Sequence, residues 1–167
     1  GIAYVSRGPG ATNISIAVHS AHQGGVPIIV FVGQVSRKNL GKMHLQEMDF
    51  TKVFADMTKL VEEVKNPEDL PKIVSNAFKV AKEGIPGPVV ISIPTDVLEA
   101  EISNKPGHPI NLIYPEPNNQ EIEETLDHIK KAQKPILVVG GELQFSKKSK
   151  VLIKEIAKKF SLPVLCT

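Results

Sequence analysis

Gly8, Pro9 and Gly10 stand in a row just after an apolar run and just before a helical pattern, with Thr12 and Asn13 close behind. Such a stretch suits close approach of backbone. Pro9 fixes φ and has no N–H, while the flanking glycines admit angles and contacts that a Cβ would block. Thr12 or Asn13 is placed to accept a bond from the first free N–H groups of the following helix. Helix N-termini after parallel strands carry partial positive charge and line the ligand crevice of open α/β sheets. The residues fit neither GxGxxG nor GxxxxGK[ST], which removes the dinucleotide and P-loop readings. A plain strand-to-helix turn and a ligand-facing one both satisfy them.

A second polar segment, "GQVSRKNLGKMHLQEMDF", follows the apolar run at 26–33 and holds Gln34, His44, Gln46 and Glu47. It sits where the carboxyl end of a strand opens into a site. A His and a Gln two residues apart make neither a zinc site nor a catalytic triad, and on these residues alone a solvated loop is the simpler reading. His19 and His22 share a helical face, but no third ligand or carboxylate partner is near, so core or surface roles and no metal site are expected. "GGEL" at 140–143 offers backbone amides of the kind that hold phosphate, although a strand-to-helix turn accounts for it. The lone Cys166 has no CxxC partner. It excludes an internal disulfide, suits a reducing, cytoplasmic compartment, and is expected as a small buried hydrophobe.

The elements that must position these residues follow from the hydrophobic pattern. "IAYVS", "VPIIVFVG", "GPVVISIP", "KPILVVGG" and "LPVLC" are short, apolar on both faces and rich in β-branched residues, the mark of parallel strands covered on both sides. Between them, Leu70, Ile73, Val74, Ala77, Phe78 and Ala81 share one face of a helix over 69–82, with Gly84 as its stop. "EIEETLDHIKKAQ" and "KVLIKEIAKKF" repeat the pattern. The fold class is α/β, a parallel sheet with helices on both faces. From about Glu99 to Gln120 the periodicity collapses into a proline-rich stretch. This predicts a first domain at 1–98, a linker at 99–119 and the start of a second, Rossmann-like α/β domain at 120–167.

With 20 basic and 18 acidic residues the formal charge is +2, which gives no reason to expect nucleic acid or a membrane surface as partner. Apolar residues form 41% and charged residues 23%, enough for a core, and no run reaches a membrane-spanning length. Gly1 and Thr167 both lie in strand-like runs, and no secretory pattern precedes the first strand. The chain is expected to be a segment of a longer protein.

Taken in order, "GIAYVSRGPGATN", "VPIIVFVGQV", "LQEMDFTKVFADMTKLVEEV" and "NPEDLPKIVSNAFKVAKEGIPGPVVISIPTDV" resemble the acetolactate synthase group of thiamine diphosphate enzymes. They correspond to the later part of that family's pyrimidine-binding domain, and "KPILVVGGEL" resembles the first strand of its central domain. The resemblance implies a 2-keto acid carboligase or decarboxylase that decarboxylates pyruvate and adds the carbanion to a second 2-keto acid. It implies thiamine diphosphate and Mg2+, with FAD as an optional cofactor, and a homodimer or tetramer whose sites lie between chains.

Carried over by residue, Gly8, Pro9, Gly10 and Asn13 match the turn beside the pyrimidine ring. Gln46 matches the polar group toward cofactor or substrate, and Glu47 the residue that holds its loop. Lys59 matches a family lysine on the substrate side. Departures are Leu45 in place of the family's Phe, His44 before it, and Arg7 and His19. Arg7 and His44 are substrate-side candidates, Arg7 suited to attracting a carboxylate or an acyl-phosphate group or, equally, to a surface salt bridge. The glutamate that protonates the aminopyrimidine and the Mg2+-binding motif are expected outside this segment, which is expected to be inactive alone. The alternatives are a related thiamine diphosphate lyase or decarboxylase and, from another class, a non-catalytic flavin- or nucleotide-binding α/β module.

Overall fold

The computed structural model describes residues 1–105, 116–141, 143 and 146–167. They fall into two compact units, Gly1–Ile113 and Tyr114–Thr167. The first contains β1 (Ile2–Val5), α1 (Gly8–Gln23), β2 (Ile28–Gln34), α2 (Phe50–Phe54), β3 (Leu60–Glu63), α3 (Leu70–Lys82), β4 (Pro88–Pro94) and α4 (Thr95–Leu98). Its strands form one parallel sheet in the order β1-β2-β4-β3.

The central strands explain themselves. β2 and β4 are apolar at nearly every position because both of their faces are covered. On one face Ile29, Phe31, Val89 and Ile91 pack with Ala77 and Ala81 of α3. On the other, Val30, Val32 and Val90 pack with Ala11 and Val18 of α1 and with Phe50 and Phe54 of α2. Alternate residues of one strand thus serve opposite cores. α3 keeps its apolar stripe against the sheet and ends before Gly84, whose φ of +60° only glycine adopts freely.

The first unit departs from the sequence reading at three places. β1 is not covered on both sides: Ala3 and Val5 face the core, while Ile2 and Tyr4 are 58% and 75% exposed, Tyr4 stacking on Phe31 with ring centroids 4.7 Å apart. The edge strand β3, "LVEE", escaped the hydrophobic pattern because it is four residues long and half acidic. The Gly-Pro-Gly stretch is not a turn capped by Thr12 or Asn13. It is the first turn of α1 itself, with Arg7 at the N-cap position and no side-chain cap. Proline suits that place, since its N–H would have no helical partner and its φ is already helical. Thr12 lies inside the helix, its hydroxyl donating to the Pro9 carbonyl at 2.9 Å.

The second unit contains α5 (Asn119–Lys131), β5 (Leu137–Val139), α6 (Lys147–Lys159) and β6 (Val164–Cys166), with β5 and β6 paired in parallel. Asn118 and Glu121 close a reciprocal capping box on α5, and Ser146 caps α6. Cys166, expected to be buried, is exposed. Of the stretch read as a linker, residues 106–115 lie outside the described residues, as does Glu142 of "GGEL". Its start is anchored: Glu68 accepts the Ser103 N–H and hydroxyl, each at 3.0 Å. Among the described residues no helix is long and apolar enough to cross a membrane.

Ile91 is fully buried between strands and α3, so Ile91→Ala is expected to cost about 2–5 kcal/mol in urea unfolding. Asp49 caps α2, and hydrogen bonds from Thr51 and then Lys52 hold its pKa down at about 2, below its ordinary 3.8. A depressed carboxylate pKa stabilises the fold above the unfolded value and loses that contribution as pH falls through the folded value. Asp49→Asn, which keeps a cap acceptor but carries no charge, is expected to flatten the acid limb of a stability–pH curve between those two values and to lower stability at pH 7, measured by urea unfolding across pH.

Candidate functional site

In a parallel sheet every strand points the same way, so the segments leaving β1, β2 and β4 emerge at one edge. That edge gathers the two polar segments singled out in the sequence. The Gly8 N–H donates to the Gln46 carbonyl at 3.0 Å, clasping the first turn of α1 to the loop that follows β2. Glycine suits the place: a Cβ on Gly8 would lie 3.1 Å from the Gln46 carbonyl oxygen, a tight contact that the loop would have to relieve. Gly10 packs equally close to β1, where a Cβ would lie 2.8 Å from the Ser6 Oγ and 3.1 Å from the Val5 Cβ. Both glycines therefore serve contacts inside the chain as well as any outside it.

Gln46 occupies the left-handed region with φ of +65°, and Met43 does so with φ of +58°. For a residue with a Cβ this conformation costs about 1–2 kcal/mol and persists only where its surroundings impose it. Glu47 is one such constraint. Its carboxylate accepts the Gly41 N–H and, at 2.9 Å, the His44 N–H, folding the loop back on itself. Those amides, Gly41's first and His44's next, hold the Glu47 carboxyl below the ordinary glutamate range. Arg37 is a second. Its backbone N–H and Nε meet the Asp96 carboxylate at 2.9 and 2.7 Å, and Nη1 reaches the Lys65 carbonyl at 2.7 Å. The half-buried Arg7 donates to the Thr95 hydroxyl at 3.2 Å.

The candidate residues are thus distributed as follows. Gly8 and Gln46 meet directly, Gly10 lies in the same helical turn as Gly8, and Glu47 follows Gln46 on the loop. Pro9 and Asn13, one helical turn apart on α1, are both exposed beside them, as is His44 on the loop. Arg7 joins from the end of β1. Lys59 does not. It precedes β3, its N–H donates to the Pro88 carbonyl at 2.8 Å and its Nζ donates to the Glu83 carbonyl, which puts it at the amino edge of the sheet, opposite the clasp. His19 is exposed and His22 half-buried toward the far end of α1. No group of three or more His, Cys, Asp or Glu among the described residues is arranged to hold a metal ion. Arg37, Thr95 and Asp96 were missed in the sequence. The available signal was position, since each lies just past the carboxyl end of a strand.

Beside the loop opens a cleft of about 720 Å³ whose walls include Glu47, Asp49 and Glu63. Gly8, Pro9, Gly10, Asn13 and Gln46 do not line it.

Residues 1–53 match the family described as "Thiamine pyrophosphate enzyme, N-terminal TPP binding domain", a span that includes both halves of the clasp. The whole chain is 32% identical over 171 residues to the acetolactate synthase large subunit of Lactococcus lactis subsp. lactis. It is 35% identical over 173 residues to the acetolactate synthase of Arthrospira platensis, and 33% over 178 residues to the mitochondrial acetolactate synthase catalytic subunit of Saccharomyces cerevisiae. Over its whole length the chain is similar to acetolactate synthases. Each match covers 100% of it but only 26–30% of the relative, so the chain spans less than a third of the length of those proteins. Lys59 lies beyond the segment that matches the cofactor-binding family.

Because Gln46 is strained and its backbone is what Gly8 holds, Gln46→Gly is expected to raise unfolding stability by about 1 kcal/mol, measured with urea. The depressed Glu47 pKa gives the loop a pH dependence with a defined sign. Its closure is complete above the ordinary value of 4.5 and is lost as pH falls through the lower folded value, which titration of the Gly41 amide shift by NMR would follow.

Proposed function

We propose that this chain is the pyrimidine-facing wall of a larger thiamine diphosphate-dependent enzyme that decarboxylates a 2-keto acid and adds the product to a second one, as an acetolactate synthase does. The observation that carries the reading is the clasp between Gly8 and Gln46 at the carboxyl edge of the sheet, within the segment that matches the cofactor-binding family. The full-length acetolactate synthase relatives support it.

The residues present fit a flat heterocycle. Gly8 is buried with its backbone committed to the loop, and Pro9 and Gly10 continue a surface without bulky side chains. Asn13, a turn along α1, and Gln46, on the loop, are both exposed and can each donate or accept at the polar edge of a ring or substrate. Thiamine diphosphate, when bound, supplies the electron sink that makes loss of carbon dioxide accessible. The protein's part in this wall is placement. The first turn of α1 offers close main chain, its dipole favours a negative group nearby, and Gln46 orients a substrate carbonyl or carboxylate. Arg7, anchored on Thr95, adds positive charge on the same side, and His44 is free to meet solvent or substrate. In this reading the diphosphate, Mg2+ and the acid that addresses the aminopyrimidine are held by residues outside this chain, FAD is dispensable to the chemistry, and the working enzyme is a homo-oligomer.

The test is turnover of pyruvate by the intact protein with and without thiamine diphosphate and Mg2+. Cofactor-dependent carbon dioxide release with acetolactate as product is expected. Gln46→Ala is expected to lower kcat by about 100-fold while the cofactor's Kd changes little, the pattern of a group acting in the transition state. Failure of the intact protein to bind thiamine diphosphate would remove the proposal.

A further inference from the structure

Gln34 is the largest polar side chain in the core, 1% exposed at the last position of β2. Burying a carboxamide is unfavourable unless its donors and acceptor are all used, and an apolar residue would fill the place at less risk. Here every group is used, and in a particular way. The Oε1 accepts the N–H of Val35, the first residue of the loop, at 2.9 Å. The Nε2 donates to the carbonyl of Met48, where the loop returns, at 2.8 Å, and to the Glu63 carboxylate at 3.2 Å. Glu63 also accepts the Ser92 hydroxyl at 3.4 Å, while the backbone carbonyl of Gln34 accepts the Thr95 hydroxyl that Arg7 contacts. The side chain therefore bridges the start of the loop that carries Gln46, its return at Met48 and the carboxyl end of β3, and Glu63 and the Gln34 backbone carbonyl carry the connection on to Ser92 and Thr95.

We infer that Gln34 is a positioning residue. It closes the base of the loop and thereby sets where Gln46 stands against Gly8. Only an amide can do this. An ionised glutamate would face the Met48 carbonyl and the Glu63 carboxylate with acceptors alone, a protonated one has a single donor for the two, and methionine, similar in volume, would leave the Met48 carbonyl without this donor and Glu63 with the Ser92 hydroxyl. The functional half of the inference rests on the reading given under Proposed function; the positional half does not.

The experiment uses the intact protein, wild type and Gln34→Met, with Gln34→Glu as the second variant of equal length. Amide hydrogen exchange at Gly8, whose N–H is held by Gln46, is expected to quicken by about tenfold or more in both variants. Amides of β4 and α3 are expected to stay within about twofold of wild type. Pyruvate turnover with thiamine diphosphate is expected to fall about tenfold in Gln34→Met. In Gln46→Ala the same change is expected to cost less than about twofold further, because the two residues then act as one unit. Unchanged exchange at Gly8, a uniform rise across the sheet, unfolding of both variants, or multiplicative losses in the double variant would each overturn the inference. If wild type shows no thiamine diphosphate-dependent turnover, the enzymatic reading falls, and exchange at Gly8 alone decides the positioning role.

Discussion

A single backbone hydrogen bond, Gly8 N–H to the Gln46 carbonyl, is the contact on which the candidate site depends. It exists because two conditions meet. β1 and β2 are neighbours in a parallel sheet, so the segments that follow them emerge at the same edge. The first residue of α1 is also a glycine, so the loop's carbonyl can come within hydrogen-bonding distance.

The bond does not hold the loop unaided. A net hydrogen bond contributes about 0.5–1.5 kcal/mol, while a left-handed non-glycine residue costs about 1–2 kcal/mol. With Gln46 and Met43 both left-handed, several ties are needed, and the structure provides them at different heights. Glu47 closes the loop within itself, Arg37 fastens its first turn to Asp96 beyond β4, and Gln34 holds its two ends from below. Left-handed backbone at an exposed polar residue, held by hydrogen bonds along its loop, is what a residue held for orientation requires. The same logic accounts for the absence of a side-chain cap on α1. Its first free N–H is satisfied by the loop, which turns an ordinary capping need into a tertiary contact.

Much of the fold was legible. Continuous apolar runs identified β2 and β4, and a 3.6-residue period identified α3, because those patterns are the direct imprint of burial on two faces or one. β3 was missed, and with it the place of Lys59. A residue directly before a parallel strand sits at the sheet's amino edge, so recognising "LVEE" as a strand would have separated Lys59 from the other candidates. Cys166 was misjudged because hydrophobicity predicts burial on average, whereas β6 is exposed at each position in its two-stranded sheet.

What the sequence determined by itself was the α/β alternation, the helical stripes and the short polar segments rich in glycine, glutamine and glutamate, since each is a property of neighbouring residues. Tertiary structure alone decided that Gly8 meets Gln46, that Arg37 meets Asp96 and that Gln34 spans the loop's base, because these partners are distant along the chain and are brought together only by strand order. It also decided where α1 begins. Residue preferences placed the cap at Thr12 or Asn13, but Pro9 starts a helix as readily as it makes a turn, and the loop carbonyl waiting opposite Gly8 settles the matter.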